Sequence, residues 1–411
     1  MKILFFSHYF PPEGNAPASR TYENCKRWVK AGHSVTVVTC APNCPSGMVY
    51  EGYRNRFRRQ REEIDGIEVV RVWTYIAANK GTVRRIVNYL SYMFSAVWVS
   101  LFLPKPDIII STSPQFFNGW AGVIASRLRR VPFILEIRDI WPESIQAVGA
   151  LQSGMLVRLL EWLEIRMYAA AKHIVTVGEG YKQRLLEKGV PEGKISIIMN
   201  GVDRELFYPR EPDESLKGKL GLEGKFICSY IGTIGMASAL DVVLRAGEIL
   251  TAKKRNDIFF LMIGDGAVRE DLENDVSKLA LENVIFTGRQ DKGLIPNFLS
   301  ISDACLVHLK KTDLFATVMP SKIFEIAGMR RPIIMGVGGF AAQIVEAAKA
   351  GIIIEPENEQ ELVAAVEQLA GDPQLGERYG KAGEAYIVER YDREKLAQEY
   401  LEVIATKARQ L

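Results

Sequence analysis

Short apolar runs alternate with longer stretches of helical periodicity along this chain, and that alternation predicts parallel α/β units. KILFFS reads as a buried opening strand, followed by the loop HYFPPEGNAPASR and a helix to about Ala31. SVTVVT and EVVRVW are the second and third strands. An uncharged helical stretch comes next, then DIIIST, a helix through Arg129, PFILEI, a helix from about Ser153 to Ala171, HIVTV and KISIIM. Periodicity breaks from Asn200 to Pro212 and then resumes. FICSYIG, DIFFLMIG, NVIFTG, DACLVHL, PIIMGV and GIIIE are strands, with helical patterns between them and after Pro373 nearly to the end. The reading is an α/β chain of two Rossmann-like doubly wound domains facing a cleft, spanning 1–199 and 200–385. A C-terminal helix, 386–411, packs back on the first domain. In such sheets ligands sit beyond the carboxyl ends of the strands.

Composition narrows the class. The chain has 411 residues, too many for one core, with 48% hydrophobic and 25% charged residues, as in soluble enzymes. A net charge of +3 gives no global argument for nucleic acid. Five cysteines at scattered positions form neither a metal cluster nor a disulfide framework, which fits a reducing cytoplasm. The first apolar run is too short for a signal peptide. Charge is locally uneven: Arg54, Arg56, Arg58, Arg59 and Arg61 fall within eight positions. Ile86 to Leu103 is an 18-residue run without charge, preceded by Arg84 and Arg85. Its polar content leaves three readings open: a membrane span, a packed domain helix, or a helix lying in a membrane interface.

Candidate chemistry lies at the strand ends. In FATVMPSKIFEIAGMRRP, Pro320 and Ser321 suit the first turn of a helix that Gly328 ends. The free amides of that turn and Lys322 make a phosphate site. Glu325, about one turn on, can accept both hydroxyls of a ribose. The plainer alternative is a capped core helix with Lys322 and Glu325 as a solvated pair. After the first strand, Gly14 allows close backbone approach to a ligand, although PPEGNAP also reads as a surface loop. EIRDIWPES crowds Glu136, Arg138 and Asp139 at a strand end, with Arg138 for phosphate and Asp139 for a sugar hydroxyl, or else a structural ion pair. Asn200 and Gly201 form a tight turn facing the cleft or a simple hinge. YIGTIG (Gly232, Thr233, Gly235), MIGDGAVRE (Gly264, Asp265, Gly266) and FTGRQ (Arg289) together read as a nucleotide bed. The histidines are scattered, and no metal-ligand spacing is present.

PPEGNAP, EIRDIWPES, IMNGVDRELFYP, YIGTIG, MIGDGAVRE, FTGRQ and MPSKIFEIAGMRRPII occur in an order that resembles the family 4 retaining glycosyltransferases of the GT-B fold. Among them the chain looks most like bacterial O-antigen and capsule enzymes labelled L-fucosamine transferases. The resemblance implies transfer from a UDP-sugar, with retention and without metal or cofactor. The second domain would bind the donor and the first the acceptor, a polyprenyl-diphosphate-linked saccharide. It implies a donor set of Gly14, Asn200, Gly232, Thr233, Gly264, Asp265, Arg289, Pro320, Ser321, Lys322 and Glu325, with Arg138, Asp139, Lys322 and Glu325 in catalysis. Glu325 matches the second Glu of the family's E-x7-E motif, but Thr317 stands where the first belongs. The family's usual Arg and Lys are missing from YIGTIGMASAL, so Lys322, Arg289 or Arg138 must meet the diphosphate charge. Arg138-Asp139 replaces the common His-Asp. Arg54, Arg56, Arg58, Arg59, Arg84 and Arg85 point to an anionic membrane surface, hence a peripheral protein on the inner face of the cell membrane. Other readings are a UDP-sugar 2-epimerase, or a non-catalytic assembly factor that binds nucleotide or membrane.

Overall fold

The computed structural model describes residues 1–44, 46–77, 82–113, 115–141, 143 and 154–409. The chain divides into two compact units, Met1–Met199 with Glu394–Leu411, and Asn200–Arg393.

In the first unit the apolar runs become the strands β1 (Lys2–Phe6), β2 (Ser34–Cys40), β4 (Ile67–Val72), β5 (Ile108–Thr112), β6 (Phe133–Ile137), β7 (His173–Thr176) and β8 (Ile195–Ile197). They are near-continuous Ile, Val, Leu and Phe because helices cover both faces of a parallel sheet. With the edge strand β3 (Gln60–Ile64), the sheet order is β3-β4-β2-β1-β5-β6-β7-β8. Its direction of winding reverses between β1 and β5, which opens a crevice at their carboxyl ends.

β3 (Gln60–Ile64) was absent from the sequence reading. It pairs antiparallel with β4 at the sheet edge, where polar residues are tolerated on both faces. Its turn, Asp65-Gly66, has positive φ at both positions, the geometry that makes Asp-Gly a hairpin signal.

The helices of this unit are α1 (Ala16–Lys30), α2 (Thr82–Ser100), α3 (Phe116–Arg129), α4 (Met155–Ala170) and α5 (Glu179–Glu187). The expected start of α4 at Ser153 lies outside the described residues. α2 is a packed domain helix on its inner face: Tyr92 is buried with its hydroxyl donating to Val38 O at 2.7 Å, and Asn88 donates to Tyr75 O. No helix among the described residues is long and apolar enough to cross a membrane. The final helix, Arg393–Ala408, returns to this unit, where Trp28 stacks edge-on with Tyr400 and donates to Ala397 O at 3.1 Å.

The second unit holds β9 (Phe226–Ile231), β10 (Ile258–Ile263), β11 (Val284–Gly288), β12 (Ala304–His308), β13 (Ile333–Gly336) and β14 (Gly351–Ile353). Their order is β11-β10-β9-β12-β13-β14, so the winding reverses between β9 and β12. Asn200-Gly201 is no tight turn. It leads into a bridge in which Val202 N–H donates to Tyr391 O at 2.9 Å.

Candidate functional site

The loop that leaves β9 is held by the loop that leaves β10. Gly232 N–H donates to Ile263 O at 2.9 Å, and Ile234 N–H to Asp265 O at 3.0 Å. A Cβ on Gly264 would meet Gly232 O at 1.8 Å, and one on Gly266 would meet Ile234 O at 2.2 Å. These two glycines therefore allow backbone-to-backbone contact between the loops. Asp265 is engaged as well: its Oδ1 accepts from Gly266 N–H at 2.8 Å and lies 3.6 Å from Arg269 Nε. Thr233 is exposed, and its carbonyl accepts from Tyr230 and Ser238. Gly232 itself faces Lys322: a Cβ there would sit 2.9 Å from Nζ. The same ammonium lies 3.8 Å over the Tyr230 ring.

Lys322 opens the helix α6 (Lys322–Gly328), with Ser321 as its flanking residue. Pro320 precedes the helix rather than entering it. The first turn is tight, because Ile323 and Phe324 N–H donate to Pro320 and Ser321 carbonyls. Seven residues make only a weak dipole, so an anion here depends on the Lys322 charge. Gly328 is the last helical residue but not a left-handed cap, a role that Arg330 takes with φ 56°. Gly328 is small because Val202 would lie 2.6 Å from any Cβ.

Glu325 is half-buried and one turn on from Ser321. Burial pushes its carboxyl above the ordinary value, Lys292 and Lys322 oppose this, and Asp203 adds to it. The sequence reading missed Lys292 and Tyr230 here. Lys292 follows β11 in a short turn with no pattern to single it out, whereas Tyr230 passes as a strand residue. Arg289, at the end of β11, is exposed. Thr317 closes a local turn by donating to Leu314 O at 2.7 Å.

In the first unit, Glu136 forms its ion pair with Arg20, not with Arg138. Its Oε1 accepts from Arg20 Nε at 2.9 Å, and both residues are buried. Arg138 reaches back to the Ala16 and Pro17 carbonyls at 3.4 and 3.5 Å, at the start of α1. Burial first, then Arg20, lower its pKa to about 10. Ser113 Oγ accepts from Arg138 N–H at 2.8 Å and Asp139 N–H at 3.3 Å, which turns the strand end toward the β5 loop. Gly14 is exposed just ahead of Asn15, whose side chain caps α1. Asn200 is buried. Arg54, Arg56, Arg58, Arg59 and Arg84 are exposed, whereas Arg85 is partly buried and donates to Tyr89 Oη at 3.3 Å. Arg138 and Asp139 thus belong to the first unit, and Lys322 and Glu325 to the second.

Residues 15–201 match the family profile described as "Glycosyl transferase 4-like domain", and residues 212–386 match "Glycosyl transferases group 1". A putative colanic acid biosynthesis glycosyl transferase, WcaI of Escherichia coli K12, is 25% identical, with 98% of this chain and 99% of that protein covered. An E. coli protein named UDP-Gal:alpha-D-GlcNAc-diphosphoundecaprenol alpha-1,3-galactosyltransferase is 28% identical over 54% of this chain and 57% of its own. Among solved structures, Anabaena HepE in complex with UDP and glucose superposes with a TM-score of 0.74 at 18% identity, covering 99% of this chain and 100% of that one.

Proposed function

The chain belongs to the family 4 glycosyltransferases of the GT-B fold, and from that premise we propose that it moves a sugar from a UDP-sugar to a polyprenyl-diphosphate-linked saccharide during synthesis of a bacterial surface polysaccharide. The sugar in this proposal is an N-acetylated hexosamine or deoxyhexosamine, transferred with retention and without metal. The observation that carries the donor assignment is the Lys322 ammonium set against Gly232 at the point where the second sheet reverses, with the Glu325 carboxylate one turn on. Diphosphate on Lys322 and the tight first turn of α6 leaves Glu325 to accept the ribose hydroxyls. Support comes from HepE, solved with UDP on the same fold, and from the E. coli galactosyltransferase, whose name includes a diphosphoundecaprenol. Lys322 stabilises charge on the leaving diphosphate, whose oxygen takes the proton of the attacking hydroxyl. No protein nucleophile is needed.

Thermal-shift titration tests the donor site. UDP is expected to raise the unfolding midpoint more than GDP or ADP, and Glu325→Gln to weaken UDP binding about ten-fold or more, as loss of a charged hydrogen-bond acceptor does. The pH sign follows from burial. Only the ionised carboxylate accepts both hydroxyls, and its pKa is raised, so UDP affinity falls on acidification above the pH at which an ordinary glutamate would titrate. Glu325→Gln should lack this acid limb. A wild-type affinity in Glu325→Gln, or UDP placed away from α6 in a soaked crystal, contradicts the assignment.

The proposed location is a membrane surface, supported by the outer face of the first unit. Val87, Phe94, Trp98 (64% exposed) and Phe102 form one stripe along and beyond α2. Leu128 on α3 and Met155, Leu159, Trp162 (52% exposed) and Ile165 on α4 are exposed as well, and α3 packs against both α2 and α4. Arg84, Arg127, Arg130, Arg158 and Arg166, on or beside the same helices, are exposed too. Aromatic residues interleaved with arginine are the composition of a helix face that lies in an anionic lipid interface. Trp98→Glu and Trp162→Glu are each expected to cut co-flotation with anionic vesicles at least about ten-fold, since burying one such side chain contributes about 1.5–3 kcal/mol. Unchanged flotation removes the aromatic contribution, and equal flotation with neutral vesicles removes the electrostatic one.

A further inference from the structure

Gln115 is a buried amide that the fold leaves unused. It stands at the end of β5, beside the crevice where the first sheet reverses, and immediately before α3. It is 4% exposed, yet neither its Oε1 nor its Nε2 has a hydrogen-bond partner, and it makes no side-chain bond to cap the helix. Such a group costs stability unless something else pairs with it. It lines a small open pocket with Ser113, Asp139, Phe116, Trp141, Met167 and neighbouring apolar residues. The cavity volume is about 20 Å³. Phe116 and Trp141 are stacked, with ring centroids 5.2 Å apart. The other polar groups of the wall are already engaged: Tyr168 donates to Glu164 at 2.5 Å, and Ser113 Oγ accepts from the backbone of Arg138.

We infer that this pocket takes an acetamido group on the acceptor sugar. A primary amide and a secondary acetamide pair in both directions: Gln115 Nε2–H donates to the acetamido carbonyl, and Gln115 Oε1 accepts its N–H. The acetyl methyl then meets the Phe116, Trp141 and Met167 surface. A lone hydroxyl or a water fills only part of that pattern and leaves the apolar wall without a contact. The inference rests on the reading that the first unit binds the acceptor. It adds to that reading a specificity for N-acetylated sugar and a residue, Gln115, that sequence reasoning did not single out.

Saturation-transfer NMR on the full chain tests it, with methyl N-acetylglucosaminide and methyl glucoside as probes. The acetyl methyl is expected to receive the strongest saturation, and the glucoside to bind more weakly. Gln115→Met keeps the volume and removes the amide. It should bind the acetamido probe about ten-fold more weakly, leave the glucoside unchanged, and hold or raise the thermal midpoint. Equal binding of the two probes, or a Gln115→Met protein that still discriminates between them, overturns the inference. The measurement needs neither donor nor turnover. A chain that releases no UDP can still pass it, and a working transferase can still fail it, so the two readings fail separately.

Discussion

Lys322→Met is expected to lower the rate of UDP release about 10²–10³-fold, the loss seen when one preorganised donor to a developing negative charge is removed. The ammonium lies 3.8 Å over the Tyr230 ring and makes no salt bridge among the described residues, so its charge is available to a ligand. Folding should change little, because the Tyr230 contact contributes only about 0.5–2 kcal/mol and the methionine keeps the apolar stem. Lys322→Arg should not restore the rate. The space against Gly232 admits a compact ammonium, 2.9 Å from where a Cβ would sit, whereas guanidinium is a wide planar fork. Steady-state UDP release with each variant, alongside its thermal midpoint, separates chemistry from folding. A Lys322→Met protein with the wild-type rate would place the diphosphate charge elsewhere, with Arg289 the next cation to test.

Glu136→Ala is expected to destabilise the protein by about 3–5 kcal/mol, the range for breaking a buried ion pair from one side. Glu136 is 0% exposed, and Arg20 holds it at 2.9 Å while also donating to Ile198 O at 2.9 Å and Met199 O at 3.1 Å. One guanidinium thus ties α1, β6 and the end of the first unit's sheet. Burial alone would raise the Glu136 pKa, but Arg20 and then Arg138 outweigh it, and the net direction is down. A lowered carboxylate contributes stability above its unfolded pKa and loses it as pH falls through the folded value, so the pair acts fully at neutral pH. The double variant Arg20→Met/Glu136→Leu should recover much of the loss, because it removes both charges from the interior. Chemical denaturation of the three variants gives the coupling. A single-variant loss below about 1 kcal/mol would mean that solvent reaches the pair.

Lys322 and Glu325 were legible as candidates because helix starts, cations and carboxylates carry their chemistry in local spacing. Gly264 and Gly266 were legible only as positions where a side chain is excluded. What excludes it turned out to be the neighbouring loop's carbonyls. Gln115 and Arg20 gave no signal, since an unpaired amide and a buried arginine are defined by what surrounds them. β3 did carry one, the Asp65-Gly66 hairpin turn, but its polar residues hid it from a search for apolar runs.

Hydrophobic periodicity by itself determined the parallel α/β character of both halves, because a strand buried on both faces must be apolar throughout and an amphipathic helix must repeat near 3.6 residues. Only the tertiary structure decided that Lys322 meets Gly232 and Tyr230 across some ninety residues, and that Arg20 rather than Arg138 holds Glu136. Periodicity states which face of an element is covered. Strand order states what covers it, and that order is set by long-range pairing which no local pattern records.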